Sequence, residues 1–185
     1  MTTHAAWPDL YRPSSLDEMA LPPELRAHFG RLMAGPSLPR HLVLHGTPGC
    51  GKTTITRLLA RLYEDDGLPR VMRVSATQTG NVQYIRETVI SAMRGGRGPR
   101  LIVFEEASGL SDEAQRALRV PLEDLAHRCS VIFVMNELDD LDPAIRSRCD
   151  VILMTRPPLD ECARVLEQIL DKESVAFTPR DVMAF

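Results

Sequence analysis

Residues 42–54 read Leu42-Val43-Leu44-His45-Gly46-Thr47-Pro48-Gly49-Cys50-Gly51-Lys52-Thr53-Thr54. An apolar run leads into the pattern G-x-x-x-x-G-K-[ST], and a helix-forming segment continues to Tyr63. A phosphate-binding loop needs this strand–loop–helix context. Glycines let successive amide N–H groups turn inward around an oxyanion, and the helix behind them presents its positive N-terminal end. Lys52 adds a point charge for the β- and γ-phosphates, and the Thr53 hydroxyl is the expected Mg²⁺ ligand.

Four further strand-length apolar runs lie downstream: Val71–Ser75, Leu101–Phe104, Val131–Met135 and Val151–Met154. Together with His41–His45 they alternate with helix-period segments at about 24–34, 53–63, 82–94, 111–126 and 159–171. Continuous apolar strands alternating with helices predict an α/β fold with a parallel sheet covered on both faces. Ligands of such sheets bind beyond the carboxyl ends of the strands. Gly46–Thr53, Glu105–Glu106 and Asn136 all follow predicted strands at that end, so one site is expected to collect them.

The remaining chain is punctuated by turn residues. Trp7–Pro23 is proline-rich and lacks a period, which predicts an extended arm packed on the domain. Gly95-Gly96-Arg97-Gly98-Pro99 is a flexible hairpin-like connector. Pro157-Pro158 marks a boundary, and Thr178-Pro179 reads as the start of another helix. The sequence stops one turn into it, as expected of a truncated domain. The expected division is residues 1–156 as a nucleotide-binding domain, with 1–23 as the arm, and 157–185 as the start of a helical lid.

The 185 residues are 44% hydrophobic and 25% charged, with a net charge of −3. Such a chain is ordinary globular protein, and any contact with nucleic acid must come from a local patch. The four cysteines, Cys50, Cys129, Cys149 and Cys162, have no C-x-x-C spacing. Neither a zinc knuckle nor a disulfide frame is suggested, which fits a reducing, cytoplasmic setting. The first residues form no apolar h-region, and no apolar run of about 18 residues occurs, so neither a secretory leader nor a membrane partner is expected.

Acidic residues at the end of an apolar strand, here Glu105 and Glu106, are suited to hold Mg²⁺ and orient an attacking water. The metal-side position is usually Asp, and Glu105 is one methylene longer. Asn136 can bond that water or a phosphate oxygen, or simply form a turn. Asp139, Asp140 and Asp142 read as a solvated acidic loop. Arg146 and Arg148 precede the fifth strand, as surface ion pairs or as a finger for a neighbouring subunit. Arg86, Arg94, Arg97 and Arg100 cluster against one acid, Glu87, which suits either a phosphate backbone or a solvated face.

Several stretches are jointly specific: Tyr11-Arg12-Pro13, the loop Gly46–Thr53, Phe104-Glu105-Glu106-Ala107, Ala114-Gln115-Arg116-Ala117-Leu118-Arg119, Asn136 and Ser147-Arg148-Cys149. In this combination the chain resembles the AAA+ ATPase subunits of sliding-clamp loaders, above all the large subunit of the T4-type phage loader. It is also similar to the small subunits of replication factor C. The resemblance implies a P-loop sheet of order 5-1-4-3-2 and the cofactors ATP and Mg²⁺. Tyr11, Arg12 and Pro13 would flank the adenine. Gly46, Thr47, Pro48, Gly49, Cys50, Gly51, Lys52, Thr53 and Thr54 would hold the phosphates, and Thr53 with Glu105 the metal. Glu106 would orient water, Asn136 would sense the γ-phosphate, and Arg148 would reach the next subunit's ATP. Asn81 and Arg86 would face DNA. The implied partners are other loader subunits, a sliding clamp and primer–template DNA. A non-hydrolysing ATP-binding subunit and another DNA-acting AAA+ motor are the alternatives. Lys52 to Val71 holds no cysteine, unlike the zinc module of bacterial cellular loaders. By this resemblance the lid is expected to be cut short and the collar domain to be missing from residues 1–185. Pro121 is expected to kink or end the helix that follows Gln115.

Overall fold

The computed structural model describes residues 7–36, 40–64, 70–95 and 99–178. All five apolar runs are strands: β1 (His41–His45), β2 (Val71–Ser75), β3 (Arg100–Glu105), β4 (Cys129–Met135) and β5 (Cys149–Leu153). Every pairing is parallel, in the order β2-β3-β4-β1-β5. This is the expected 5-1-4-3-2 read from the other edge. The chain leaves β1 for the far edge at β2 and later returns β4 beside β1, so a crevice opens at the carboxyl end of β1.

Around the sheet run α1 (Trp7–Leu10), α2 (Pro23–Met33), α3 (Lys52–Ala60), α4 (Ala76–Thr79), α5 (Val82–Tyr84), α6 (Ile90–Arg94), α7 (Asp112–Asp124), α8 (Pro143–Arg146) and α9 (Leu159–Lys172). Strand residues alternate between two cores, as the two-residue period requires. Leu42, Leu44, Leu101, Val103, Ile132 and Val134 pack toward α2, α3 and the arm residues Met19 and Leu21. Val43, Ile102, Phe104, Val131 and Phe133 pack toward the opposite layer, with Ile85, Val89, Leu118, Leu122 and Ile145. The Phe104 and Phe133 rings stack there with centroids 5.2 Å apart.

Four expectations need correction. The arm is not wholly extended, because Trp7–Leu10 closes a helical turn. The segment 82–94 is not one regular helix: Ile85–Val89 is a π-helical stretch between α5 and α6. α7 does not end at Pro121 but runs through it to Asp124. Pro121 and Leu122 are buried, and the Leu122 carbonyl, near the helix end, is bonded by His41 Nε2 at 2.7 Å. Tertiary packing therefore outweighs the local penalty of proline. Finally, β5 is covered on one side only: Val151 is 42% and Leu153 54% exposed at this edge strand. Residues 96–98 of the glycine-rich connector, and the helix expected from Pro179, lie outside the described residues.

Candidate nucleotide-binding site

Gly46 begins the loop at the end of β1 with φ +138°. A Cβ there would lie 2.1 Å from the Met154 carbonyl oxygen, so no side chain fits between β1 and the end of β5. The Gly46 amide donates to the Asn136 carbonyl at 3.2 Å, which ties the loop to the end of β4. The loop ends at Gly51, the residue preceding α3, which supplies no side-chain cap. The first amides of α3 thus have neither a carbonyl one turn before them nor a capping oxygen, and they are available to an anion.

The Lys52 side chain is buried within the loop. Its Nζ donates to the carbonyls of Gly46 at 2.6 Å and Thr47 at 2.9 Å. A cavity of about 430 Å³ opens here, walled by Gly49, Lys52, Thr53, Glu105, Glu106 and Asn136, with Pro48, Gly51 and Thr54 beside them. The structure therefore brings together the loop, both strand-end acids and Asn136. Thr53 and Glu105 offer hard oxygen donors on one cavity, which fits Mg²⁺. Among the described residues no cluster of three His, Cys, Asp or Glu side chains forms a metal cage. Mg²⁺ is bound by few protein ligands together with phosphates and waters, so the residues present suit it.

Each strand-end acid has a partner on the neighbouring β2 side. Glu105 Oε1 accepts from Arg73 Nη1 at 3.1 Å. Glu106 sits in the left-handed region, φ +54°, uncommon for a side-chain-bearing residue and a cost usually found at functional sites. Its Oε2 accepts from Thr77 Oγ1 at 3.0 Å. A Cβ on Gly109 would lie 2.6 Å from the Thr77 nitrogen, so a glycine is needed for α4 to come this near to Glu106. Sequence reasoning missed Arg73 and Thr77. No local motif marks them; only the β2–β3 register puts Ser75 opposite Glu105.

Tyr11 and Arg12 do not line this cavity. They wall a second one of about 320 Å³, with Glu18 and with Val165, Gln168 and Lys172 of α9. Pro13 is not in its wall. The phenol of Tyr11 donates to Glu173 Oε1 at 2.5 Å, and this bond raises its pKa. Glu18 accepts from the Ser14 N–H at 2.7 Å and Oγ at 2.9 Å; these bonds hold its carboxyl below the usual range. The buried arm residue Met19 packs under the loop, its Cε 3.1 Å from where a Cβ on Gly51 would lie.

Arg148 lies away from both cavities. Its guanidinium bonds Glu123 Oε2 at 2.8 Å and the Ala144 carbonyl at 2.6 Å. Asn81 caps α5, accepting from the Tyr84 amide at 2.9 Å, while Arg86 is exposed beside Arg94 and Arg116 along a groove of α6 and α7. The acidic loop is not uniformly solvated. Asp142 caps α8 through the Ala144 amide at 2.7 Å and pairs with Arg119, whose hydrogen bond lowers its pKa. Gln115 is buried and joins α7 to this loop: it donates to Leu110 O and Asp140 O and accepts from the Asp142 amide at 2.7 Å. Cys129 and Cys149 are thiols pushed up to about 12 by burial, so they stay protonated and unreactive.

Curated proteins are similar to this chain in sequence. Replication factor C small subunit 1 of Pyrobaculum arsenaticum is 32% identical over 174 residues, which cover 91% of this chain and 53% of that protein. The sliding-clamp-loader large subunit of Escherichia phage RB69 is 32% identical over 169 residues, 88% of this chain and 50% of that one. The chain thus spans about half the length of these relatives. A solved RuvB variant from Thermotoga maritima superposes with a TM-score of 0.75 at 17% identity, over 94% of this chain and 58% of that one, a likeness of fold alone. The profile of the ATPase family associated with various cellular activities matches residues 42–157. With the loop, the strand-end acids and Asn136 gathered on one crevice, this chain belongs to that AAA family.

Proposed function

We propose that the chain is the ATPase domain of a sliding-clamp-loader subunit, which binds ATP and hydrolyses it as part of a larger assembly. One observation carries the reading: a single cavity at the carboxyl end of the sheet holds the phosphate loop, Glu105, Glu106 and Asn136. The loop amides and Lys52 receive the phosphates; for this Lys52 Nζ leaves the Gly46 and Thr47 carbonyls and turns to the β/γ oxygens. Thr53 and Glu105 would hold Mg²⁺, which supplies charge neutralisation of the phosphates. Glu106 orients and accepts a proton from the attacking water, and Asn136 bonds the γ-phosphate or that water. Tyr11 and Arg12 flank the base in the second cavity, under α9.

Arg148 completes a neighbour's site instead of its own, because its position lies outside this chain's cavity. Its bonds to Glu123 hold it until a neighbour presents a phosphate. The assembly's other partners are a sliding clamp and primed DNA, the latter met by the exposed Arg86 and the Asn81 turn. ATP turnover per subunit, followed against protein concentration, tests the reading. Specific activity should rise with concentration in the unaltered chain and stay flat in Arg148→Ala. Equal concentration dependence in both would overturn the role in trans. Binding of ATP by the unaltered chain with no turnover at any concentration would favour a non-hydrolysing subunit.

A further inference from the structure

Glu105 is held by a residue that its own strand does not supply. Arg73 stands on the edge strand β2, in register with Val103. Residues two apart on a strand share a face, so Val103 and Glu105 point the same way and Arg73 joins them there. The ion pair is 3.1 Å long, with the arginine side chain 38% and the carboxylate 27% exposed. Only Oε1 is engaged; among the described residues Oε2 has no partner. Arg73 is outside the cavity wall, so its guanidinium reaches the site through Glu105.

The pair has two physical consequences. A Glu side chain has one more torsion than Asp, and the bond from Arg73 restricts it, turning one oxygen toward β2. A fixed positive charge beside the carboxylate also opposes a divalent cation seeking the same group, while it favours the negative charge of a metal-free nucleotide. Partial exposure moderates both effects without abolishing them.

We propose that Arg73 is a positioning residue that holds Glu105 and sets the Mg²⁺ requirement of the nucleotide site. It favours metal-free nucleotide and raises the Mg²⁺ concentration at which the site is half-loaded. This rests on the nucleotide reading above.

The test is binding of a fluorescent ATP analogue to the whole chain, with Mg²⁺ titrated upward from chelator-buffered solution. In Arg73→Gln the half-saturating Mg²⁺ concentration should fall about three- to tenfold, and metal-free binding should weaken. Arg73→Lys should keep the behaviour of the unaltered chain. In a Glu105→Gln background, Arg73→Gln should move the Mg²⁺ midpoint much less. An unchanged or higher midpoint in Arg73→Gln, in protein that melts normally, overturns the inference. So does an equal shift in the Glu105→Gln background, since Arg73 would then set the Mg²⁺ requirement without Glu105. Failure of the unaltered chain to bind the analogue at any Mg²⁺ concentration removes the nucleotide reading, and this inference with it.

Discussion

The cavity at the phosphate loop is walled by the ends of β3 and β4, strands whose residues Leu101–Phe104 and Cys129–Met135 are buried. The cavity under α9 is walled by an irregular arm and by a helix with no buried residue. α9, whose apolar residues are at best half-buried, is tied to the arm and α2 by polar contacts. Glu161 lies between Arg26 at 2.5 Å and Arg164 at 2.9 Å. Arg164 also donates to the Asp17 and Met19 carbonyls at 2.8 and 2.9 Å. Arg26 donates to Leu16 O at 2.5 Å. The Arg26–Glu161 pair keeps 24% and 18% of its side-chain surface exposed, so solvent and salt reach it more readily than they reach the buried strands. The loop end of the site therefore rests on fully buried strands, and the arm–α9 end on polar contacts nearer the surface, the kind of region from which low-stability units are drawn.

The sharpest way to break this contrast is to weaken the core. Phe104→Ala should destabilise the domain by about 3–5 kcal/mol, seen as a lower denaturation midpoint for the sheet and α9 together. A loss confined to α9 would contradict a shared core. Lys52→Ala should leave the midpoint near that of the unaltered chain yet reduce nucleotide affinity about 10- to 100-fold, the scale of one to two charge-assisted bonds. Affinity within a factor of two would count against the phosphate cradle.

Glu161→Ala removes the carboxylate between two arginines and leaves only the exposed Asp17, 4.0 Å from Arg26, as a counter-charge. Hydrogen exchange should accelerate in α9 by about 5- to 30-fold, as about 1–2 kcal/mol of local stability is lost, while the amides of β1, β3 and β4 keep their protection. Raised exchange in the strands as well would join the two regions into one cooperative unit.

A smaller effect belongs to pH. His41 is buried, and its Nδ1 accepts from the Val131 amide at 3.0 Å. Nε2 therefore carries the proton donated to Leu122 O. Burial depresses its pKa, so between the unfolded value, about 6.5, and the lower folded value the unfolded chain binds more protons. His41 thus contributes stability that is present above pH of about 6.5 and fades as pH falls below it. Urea midpoints compared at neutral and mildly acidic pH should show a shallower pH slope in His41→Gln. An equal slope would show that another group dominates. Smallest of all, Tyr11→Phe removes one exposed bond to Glu173 and should change α9 protection only slightly.

Strand positions, the loop and its lysine were legible because each depends on neighbours in sequence: period, glycine placement and the switch from apolar run to helix. The crevice was legible because a parallel sheet puts all strand carboxyl ends on one side. Arg73 and Thr77 were not, since Arg73 is an ordinary strand residue until β2 pairs with β3, and Thr77 an ordinary helix residue until Gly109 lets α4 approach. Asp142 looked like part of a solvated loop because its partners, Arg119 and the Gln115 amide, come from α7. Pro121 looked like a helix breaker because the sequence shows the missing N–H but not the burial of its ring.

By itself, then, the sequence determined the class of fold, the order of elements along the chain and the glycine-rich loop between β1 and α3, all consequences of local sterics and hydrophobic period. Tertiary structure alone decided how the two acids are held, how Arg148 is parked on Glu123, and how the arm and α9 share the second cavity. Those outcomes depend on charges and hydrogen bonds between residues far apart in sequence. Such pairs form only after the sheet has set the distance between them, and no local pattern encodes that distance.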